Sequence, residues 1–527
     1  METHVLYDDD GQGVGEWEHG DPTGFLRDWV DHICDRVPIN TYSFLAALPD
    51  ICHYQTRIGE VQDARFEHPP TPGGRTIRAL AAEGTDPLRV VTERLHERGI
   101  EALAEIRMSD THHRTIGPDQ PSCPQFTIDH PEWCIVRPDR QTETAMDYSF
   151  PQVRAHRLAI MQELAEDWDV DGLELNFNRW AKHFHRDQGR EKMPIMTDFV
   201  GEIHSVMQRA AKKRGRGSLS LGVRVPATLT ECEVAGLDPK TWVEREWIDF
   251  LVVADWNLTW PDMPIERFAA FTAGTKCRLY AQMGDMMGGT WTGKPEVTGR
   301  GPAYAPGRRG YSGMLLTRRE ARAAALNHYT WGADGISFWN IACNEGRGKW
   351  GHIPGQHERV WGWMNEVIDI KRIRAGKRCY HFLPLYKRQE ILPRNYAWNE
   401  NLKVPTGAIR AQVITLSKLH QRGIFTFRMA DGRDGEELKG ILRFPLYHVA
   451  PDDLYDVDIN GIVVDPSRIK RSHDQSDSDL PRVWLEVDLV DCPAFMGDNK
   501  LGITWRGRAG GAKAAPYMEE LEVIVEP

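Results

Sequence analysis

Apolar positions along the chain fall into two textures that meet near residue 371. Before that point, short and nearly continuous apolar runs alternate with stretches of helical period. The runs are His4–Tyr7, Ile39–Ala46, Ala102–Ser109, Gly172–Phe177, Ser218–Pro226, Trp247–Asp255, Cys277–Met283 and Gly335–Ile341. Between and after them, apolar residues recur every three to four positions over 22–37, 87–98, 151–168, 196–213, 239–245, 264–273, 317–331 and 358–370, the spacing of one helix face. Continuous apolar runs suit parallel strands covered by helices. Eight strand-then-helix units predict a (β/α)8 TIM barrel over 1–372. Thr111–Phe150 is too long for a simple connection and its varied sequence favours an ordered loop such as a lid or binding loop, and Gly284–Gly313 reads as a Gly-rich loop.

Past Lys371 the period changes from helical to alternating. Arg372, Arg374, Lys377 and Arg378 read as a basic link. Alternation then runs through 411–416, 424–428, 438–444, 454–459, 483–489, 500–505 and 518–525, and Asn460-Gly461 is a tight-turn signal. Short strands separated by turns predict an all-β sandwich over 373–527.

The stretch Asp169-Val-Asp-Gly-Leu-Glu-Leu-Asn-Phe-Asn-Arg-Trp180 stands out because its two faces differ. Leu173, Leu175 and Phe177 share one side of a strand, and Glu174, Asn176 and Asn178 share the other. A carboxylate and two amides opposite a buried apolar face need water, partners or a ligand. In such barrels the active site lies at the C-terminal strand ends, so the strand list becomes a site list. It contains Asp8 to Asp10; Arg107, Asp110, His112 and His113; Glu174, Asn176, Asn178 and Trp180; Arg224; Asp255 and Trp256; Gln282 and Asp285; Trp339 and Asn340. Carboxylates, amides and arginines that fork onto hydroxyls, with indoles to cover ring faces, fit a polyhydroxylated ligand. Glycoside hydrolysis needs two carboxyl groups flanking one bond. Glu174 is the candidate acid or acid/base. Asp255 ranks first as base or nucleophile. Asp110 is the alternative, with orienting Glu174 or binding a hydroxyl as its other role. Arg107, His112, His113, Asn176, Asn178, Trp180, Arg224, Gln282, Trp339 and Asn340 are candidate substrate contacts.

Plainer readings stand beside these. Asp171, Asp249 and Asp334 sit at strand starts, where a structural role is expected. Asp8 to Asp10 read equally as a loop cap, and Glu105 with Arg107 as a buried pair in the barrel wall. Adjacent His112 and His113 point apart, which argues against both binding one metal. No metal or cofactor motif is read.

Composition narrows the picture without redirecting it. The 527 residues carry a net charge of −11, which disfavours nucleic acid bound through a basic surface and suits a neutral or cationic ligand. Nine scattered cysteines without a CxxC pair fit a reducing compartment. No signal-peptide pattern and no membrane-length apolar run is visible, so a cytoplasmic location is expected, with a homo-oligomer left open.

Six segments occur together in order: Arg107-Met-Ser-Asp-Thr-His-His113, His130-Pro-Glu-Trp133, Asp147-Tyr-Ser-Phe-Pro-Gln-Val-Arg154, Asp169-Val-Asp-Gly-Leu-Glu-Leu175, Leu221-Gly-Val-Arg-Val-Pro226 and Gly332-Ala-Asp-Gly-Ile-Ser-Phe-Trp339. In these the chain resembles the bacterial glycoside-hydrolase-like TIM-barrel proteins with a trailing β-sandwich. The resemblance implies a carbohydrate substrate. Many related barrels carry a second carboxylate two residues after the strand-four acid. Here that position is Asn176, which moves the second carboxylate to another strand. The expected function is glycoside hydrolysis. The alternatives are a metal-dependent hydrolase, which lacks its His-x-His after strand one, a carbohydrate lyase, and a non-catalytic carbohydrate-binding protein.

Overall fold

The computed structural model describes residues 4–113, 115–136, 142–185, 188–255, 258–287, 314–339, 341, 357–383, 385–386, 408–410, 412, 414–433, 436–450, 452–474, 482–507 and 515–527. Asn340, Trp256 and most of the Gly-rich loop expected over 284–313 lie outside them.

Eight parallel strands form the barrel, within a ten-stranded sheet that adds two short strands, Ile51–Cys52 and Glu60–Val61. The eight are β1 (His4–Asp9), β2 (Thr41–Leu48), β3 (Glu101–Arg107), β4 (Gly172–Asn176), β5 (Ser220–Pro226), β6 (Phe250–Ala254), β7 (Arg278–Met283) and β8 (Gly335–Trp339). Each pairs with the next in sequence, and β8 pairs with β1, which closes the barrel. All eight coincide with the apolar runs.

The helices between them start where the sequence places capping residues. Helices α1 (Pro22–Cys34), α2 (Pro72–Ala82), α3 (Pro87–Glu97) and α7 (Pro239–Glu244) each begin on a proline. The preceding Asp21, Thr71, Asp86 or Asp238 accepts a backbone N–H from the first turn. Between α3 and α7 in sequence lie α4 (Pro151–Asp167), α5 (Gly189–Lys213) and α6 (Leu229–Ala235), and α8 (Ile265–Thr272) follows. Helix α5 begins seven residues before Met196 and runs through Pro194. Helices α2 and α6 are absent from the sequence-based expectation. Gly73-Gly74 weakens the first, and the second is only seven residues long.

Strand-start acids latch the bottom of the barrel. Asp171, Asp249 and Asp334 accept the backbone N–H of Ala102 (2.9 Å), Leu221 (2.8 Å) and Leu279 (2.8 Å) on the preceding strand. Asn40 does the same for Val5 at 2.8 Å. These groups act in structure, as their positions suggest.

The chain packs as two compact units, 1–257 with 264–284 and 331–361, and 258–263 with 285–330 and 362–527. The second unit contains α9 (Arg318–Thr330) and a β-sandwich. Its strands are β9 (Arg378–Phe382), β10 (Arg422–Met429), β11 (Gly440–Tyr447), β12 (Leu454–Ile459), β13 (Lys470–Asp474), β14 (Arg482–Asp488), β15 (Gly497–Gly507) and β16 (Leu521–Val525). One sheet runs β9-β16-β11-β14-β13, and the other contains β10-β15-β12. Tyr380, Phe382, Leu442 and Phe444 from the first meet Phe425, Phe427, Val457 and Ile503 from the second in one apolar core. Asn460 and Gly461 both take positive φ (53° and 85°), as a two-residue hairpin turn requires. Strand β9 falls where the sequence suggests a basic link. Arg378 is buried there and pairs with Asp431 (Nε–Oδ2 2.7 Å). Of the nine cysteines, the eight described are free thiols. Among the described residues no helix is long and apolar enough to cross a membrane.

Candidate active site

The strand registers sort the barrel interior into levels. Near the bottom, Leu6, Leu103, Phe250, Val252 and Tyr280 form an apolar plug. Glycines make room for it: a Cβ on Gly222 would lie 1.8 Å from the Phe250 ring, and one on Gly172 would lie 2.1 Å from the Ser220 carbonyl oxygen. Two residues further along the strands the interior turns polar. Asp8, Glu105, Glu174, Arg224, Gln282 and Ser337 are all fully or almost fully buried.

Arg224 organises this level. Its Nε donates to Glu174 Oε1 (3.0 Å), Nη1 to Gln282 Oε1 (2.5 Å) and Nη2 to Ser337 Oγ (3.1 Å), while Nη2 also pairs with Asp8. One guanidinium thus serves several carboxyls in a dry interior, where an unbalanced charge is costly. Asp8 and Glu105 adjust by keeping protons. Burial, with help from Glu174, pushes Asp8 up to about 8 against the pull of Arg224. Burial, Asp8 and Glu174 hold Glu105 well above the usual carboxylate range. Glu105 Oε1 accepts the Asn176 amide at 2.6 Å. Glu174 Oε2 has no hydrogen-bond partner among the described residues.

The next level is the mouth. Arg107 pairs with Asp10 and with Asp110 (Nη1–Oδ2 2.8 Å), and its Nε stands 3.9 Å from Glu105 Oε1. Asp110 Oδ1 accepts the backbone N–H of His112 (3.0 Å) and its Nδ1–H (2.5 Å). Burial would raise Asp110, but His112, Arg107 and nearby Arg179 outweigh it and hold the carboxyl well below the usual range. Arg179 Nη2 lies 3.1 Å from His112 Nε2. The Arg179 guanidinium also lies over two indoles, 5.7 Å from Trp180 and 5.5 Å from Trp339. Trp180 sits at φ 56°, a conformation that costs an aromatic residue about 1–3 kcal/mol and clusters at functional sites. The indole N–H groups of Trp180 and Trp339 are buried and find no acceptor among the described residues.

The structure therefore gathers Arg107, Asp110, His112, Trp180 and Trp339 around one mouth, with Glu174 one level below. Other expected contacts are already engaged. Asn176 Oδ1 accepts the N–H groups of Asn178 (3.0 Å) and Arg179 (2.9 Å), so its amide shapes the turn after β4. Asn178 Nδ2 donates to the Ala254 carbonyl at 3.1 Å. Arg224 and Gln282 bond to each other inside the barrel. His113 is buried, its Nε2 3.2 Å from the Thr144 carbonyl oxygen. Asp255 is buried at the end of β6. Asp9 is a loop cap, accepting the Gly11 N–H at 3.0 Å and the Tyr42 hydroxyl at 2.5 Å. The sequence alone does not single out Arg179, reads Glu105 only as a wall pair with Arg107, and places Asp8 at the strand end, as a site group or a loop cap. Strict alternation from Arg107 and from Leu6 puts the latter two inside the barrel.

No family model matches the chain, and no curated protein matches it. Solved structures do. A Paenibacillus sp. cycloisomaltooligosaccharide glucanotransferase complexed with cycloisomaltoheptaose is 10% identical at a TM-score of 0.34, over 98% of this chain and 57% of that one. This chain thus spans just over half of that protein's length. The glycoside hydrolase domain of PgaB (BpsB) from Bordetella bronchiseptica is 10% identical at 0.40, over 70% and 99%. A plant class V chitinase mutant from Cycas revoluta in complex with (GlcNAc)3 is 13% identical at 0.41, over 70% and 100%.

Proposed function

We propose that this chain is a glycoside hydrolase that cleaves an oligo- or polysaccharide at the barrel mouth. The observation that carries the reading is Glu174 Oε2, a fully buried carboxylate oxygen without a hydrogen-bond partner among the described residues. Arg224 fixes the other oxygen, so the side chain is aimed and Oε2 alone is open for proton exchange. Such an atom is costly unless it meets a ligand. The two indole N–H groups without acceptors extend the same logic to sugar oxygens, and their rings offer apolar faces.

In the proposed reaction the bond between the anomeric carbon and the glycosidic oxygen breaks. The leaving oxygen takes the proton of Glu174. Water adds its oxygen to the anomeric carbon and gives its proton to the second carboxylate. A carboxyl held as low as Asp110 is no proton donor, and in this reading the acid role stays with Glu174, whose Oε2 has no partner among the described residues. Asp255 remains first for the base, and Asp110 serves as a fixed anion that orients His112. The test is turnover on a glycan panel. Glu174→Gln keeps the Arg224 hydrogen bond and should lower kcat about 100-fold or more with the melting temperature little changed. Parental turnover in a folded Glu174→Gln variant refutes the assignment. Glycan binding by the parent without any cleavage would instead make it a carbohydrate-binding protein.

A further inference from the structure

Strand β9 carries a second cluster, in the sandwich unit. Tyr380 and Phe382 point into the sandwich core, so His381 between them faces the other side of the sheet. The register sets His381 opposite Glu522 on β16, and Glu522 opposite Arg443 on β11. This row of charged side chains belongs on a wet surface, yet His381 and Glu522 are both 0% exposed. Helix α9 packs beside β9, and its Glu320 reaches His381.

The geometry is that of a prepared ligand set. Glu320 Oε2 accepts the Thr317 N–H (2.8 Å) and hydroxyl (2.5 Å), closing a capping box at the helix start. That fixes Oε1, 2.7 Å from His381 Nδ1. The ring is thereby held with Nε2 toward Glu520 Oε1 at 2.8 Å and Glu522 Oε1 at 3.6 Å. A donor atom from each of these three residues lies within 4.8 Å of the others. Ligands about 2.1 Å from a tetrahedral zinc stand roughly 3.4 Å apart, so small side-chain shifts suffice. A carboxylate on the far nitrogen is the usual partner of a metal-bound histidine.

Charge points the same way. Among the described residues the cluster sets three carboxylates (Glu320, Glu520 and Glu522) beside the Arg443 guanidinium, whose Nε is 2.6 Å from Glu522 Oε2. A proton on the imidazole leaves one negative charge in excess, whereas a dication on the neutral imidazole leaves none. Burial favours the balanced arrangement. We propose that His381, Glu520 and Glu522 bind one divalent transition-metal cation, zinc foremost, with Glu320 as the positioning residue for His381. Enclosed ligands suit a structural ion that ties α9, β9 and β16 together.

The test uses the full chain, stripped with EDTA, desalted, and titrated with ZnCl2 or CoCl2. One equivalent of zinc should bind and raise the melting temperature by several degrees at a large excess over Kd. Cobalt should give the visible absorption of a low-symmetry site with nitrogen and oxygen ligands. Glu520→Gln and Glu522→Gln should each lose this binding, and Glu320→Gln should weaken it about 10–100-fold. Glu174→Gln should leave it intact. The proposal is overturned if the parent chain shows neither a zinc-dependent melting shift nor a cobalt spectrum, or if the Glu520 and Glu522 variants bind zinc as the parent does. The cobalt reading on the parent decides the matter even where a variant fails to fold.

Discussion

Replacing Arg224 with methionine tests the account of the barrel interior most directly. The substitution keeps much of the side-chain volume and removes the cation. Glu174, Gln282, Ser337 and Asp8 all lose their Arg224 contact. Breaking a buried ion pair by deleting one partner costs about 3–5 kcal/mol. For a unit of this size, each kcal/mol moves the melting temperature by roughly 2–4 °C, so a drop of about 10 °C is expected at neutral pH and above. The loss must also depend on pH. Asp8 titrates at about 8 in the fold against a reference of 3.8. Between those values folded Asp8 holds more proton than unfolded Asp8, so its contribution to stability falls as pH rises. The Arg224 guanidinium limits that fall by holding the folded-state value down, and without it the fall continues to higher pH. At pH 5 Asp8 is neutral with or without Arg224, and its share of the deficit shrinks toward the lost hydrogen bonds. Calorimetric melts of parent and variant at pH 5 and pH 9 measure both quantities. A loss of equal size at the two pH values, or a larger one at pH 5, refutes the charge argument.

Two further outcomes follow from the geometry. Gly222→Ala drives a methyl group into the Phe250 ring and should destabilise by about 1–3 kcal/mol; Gly222→Ala combined with Phe250→Leu should recover most of that in urea melts, and simple additivity would show that the contact is not the cause. Trp180→Ala removes an indole face and an unmatched N–H from the mouth, and should raise KM several-fold with kcat nearly unchanged, the sign of lost uniform binding; an unaltered KM would remove Trp180 from the ligand site.

Much of the barrel is legible because burial on both faces forces long apolar runs, and these survive in the sequence as eight clear segments. The strand-start acids are legible too, since an acid just before such a run has an N–H of the neighbouring strand to meet. What is hidden depends on the third dimension. Arg224 reads as a ligand contact because it sits on the right strand, but its register puts it one level below the mouth. Asn176 reads as a pocket amide, yet the turn after β4 consumes its oxygen. Strand β9 is masked by the basic residues before it, although Arg378 to Phe382 alternates correctly. The His381 cluster has no sequence signature at all, because its ligands lie on distant segments brought together by sheet pairing.

That pairing also has a consequence in time. His381 and Glu520 are 139 residues apart, and among the described residues β9 pairs with β16. During synthesis at about 5–20 residues per second, β9 is made roughly 7–28 s before β16. Through that interval its hydrogen-bonding edge is bare and the inner face of Tyr380 and Phe382 is unsealed. The sandwich unit is thus late-maturing by topology. In a cell, its yield would depend on how well the waiting strand is shielded from other nascent chains.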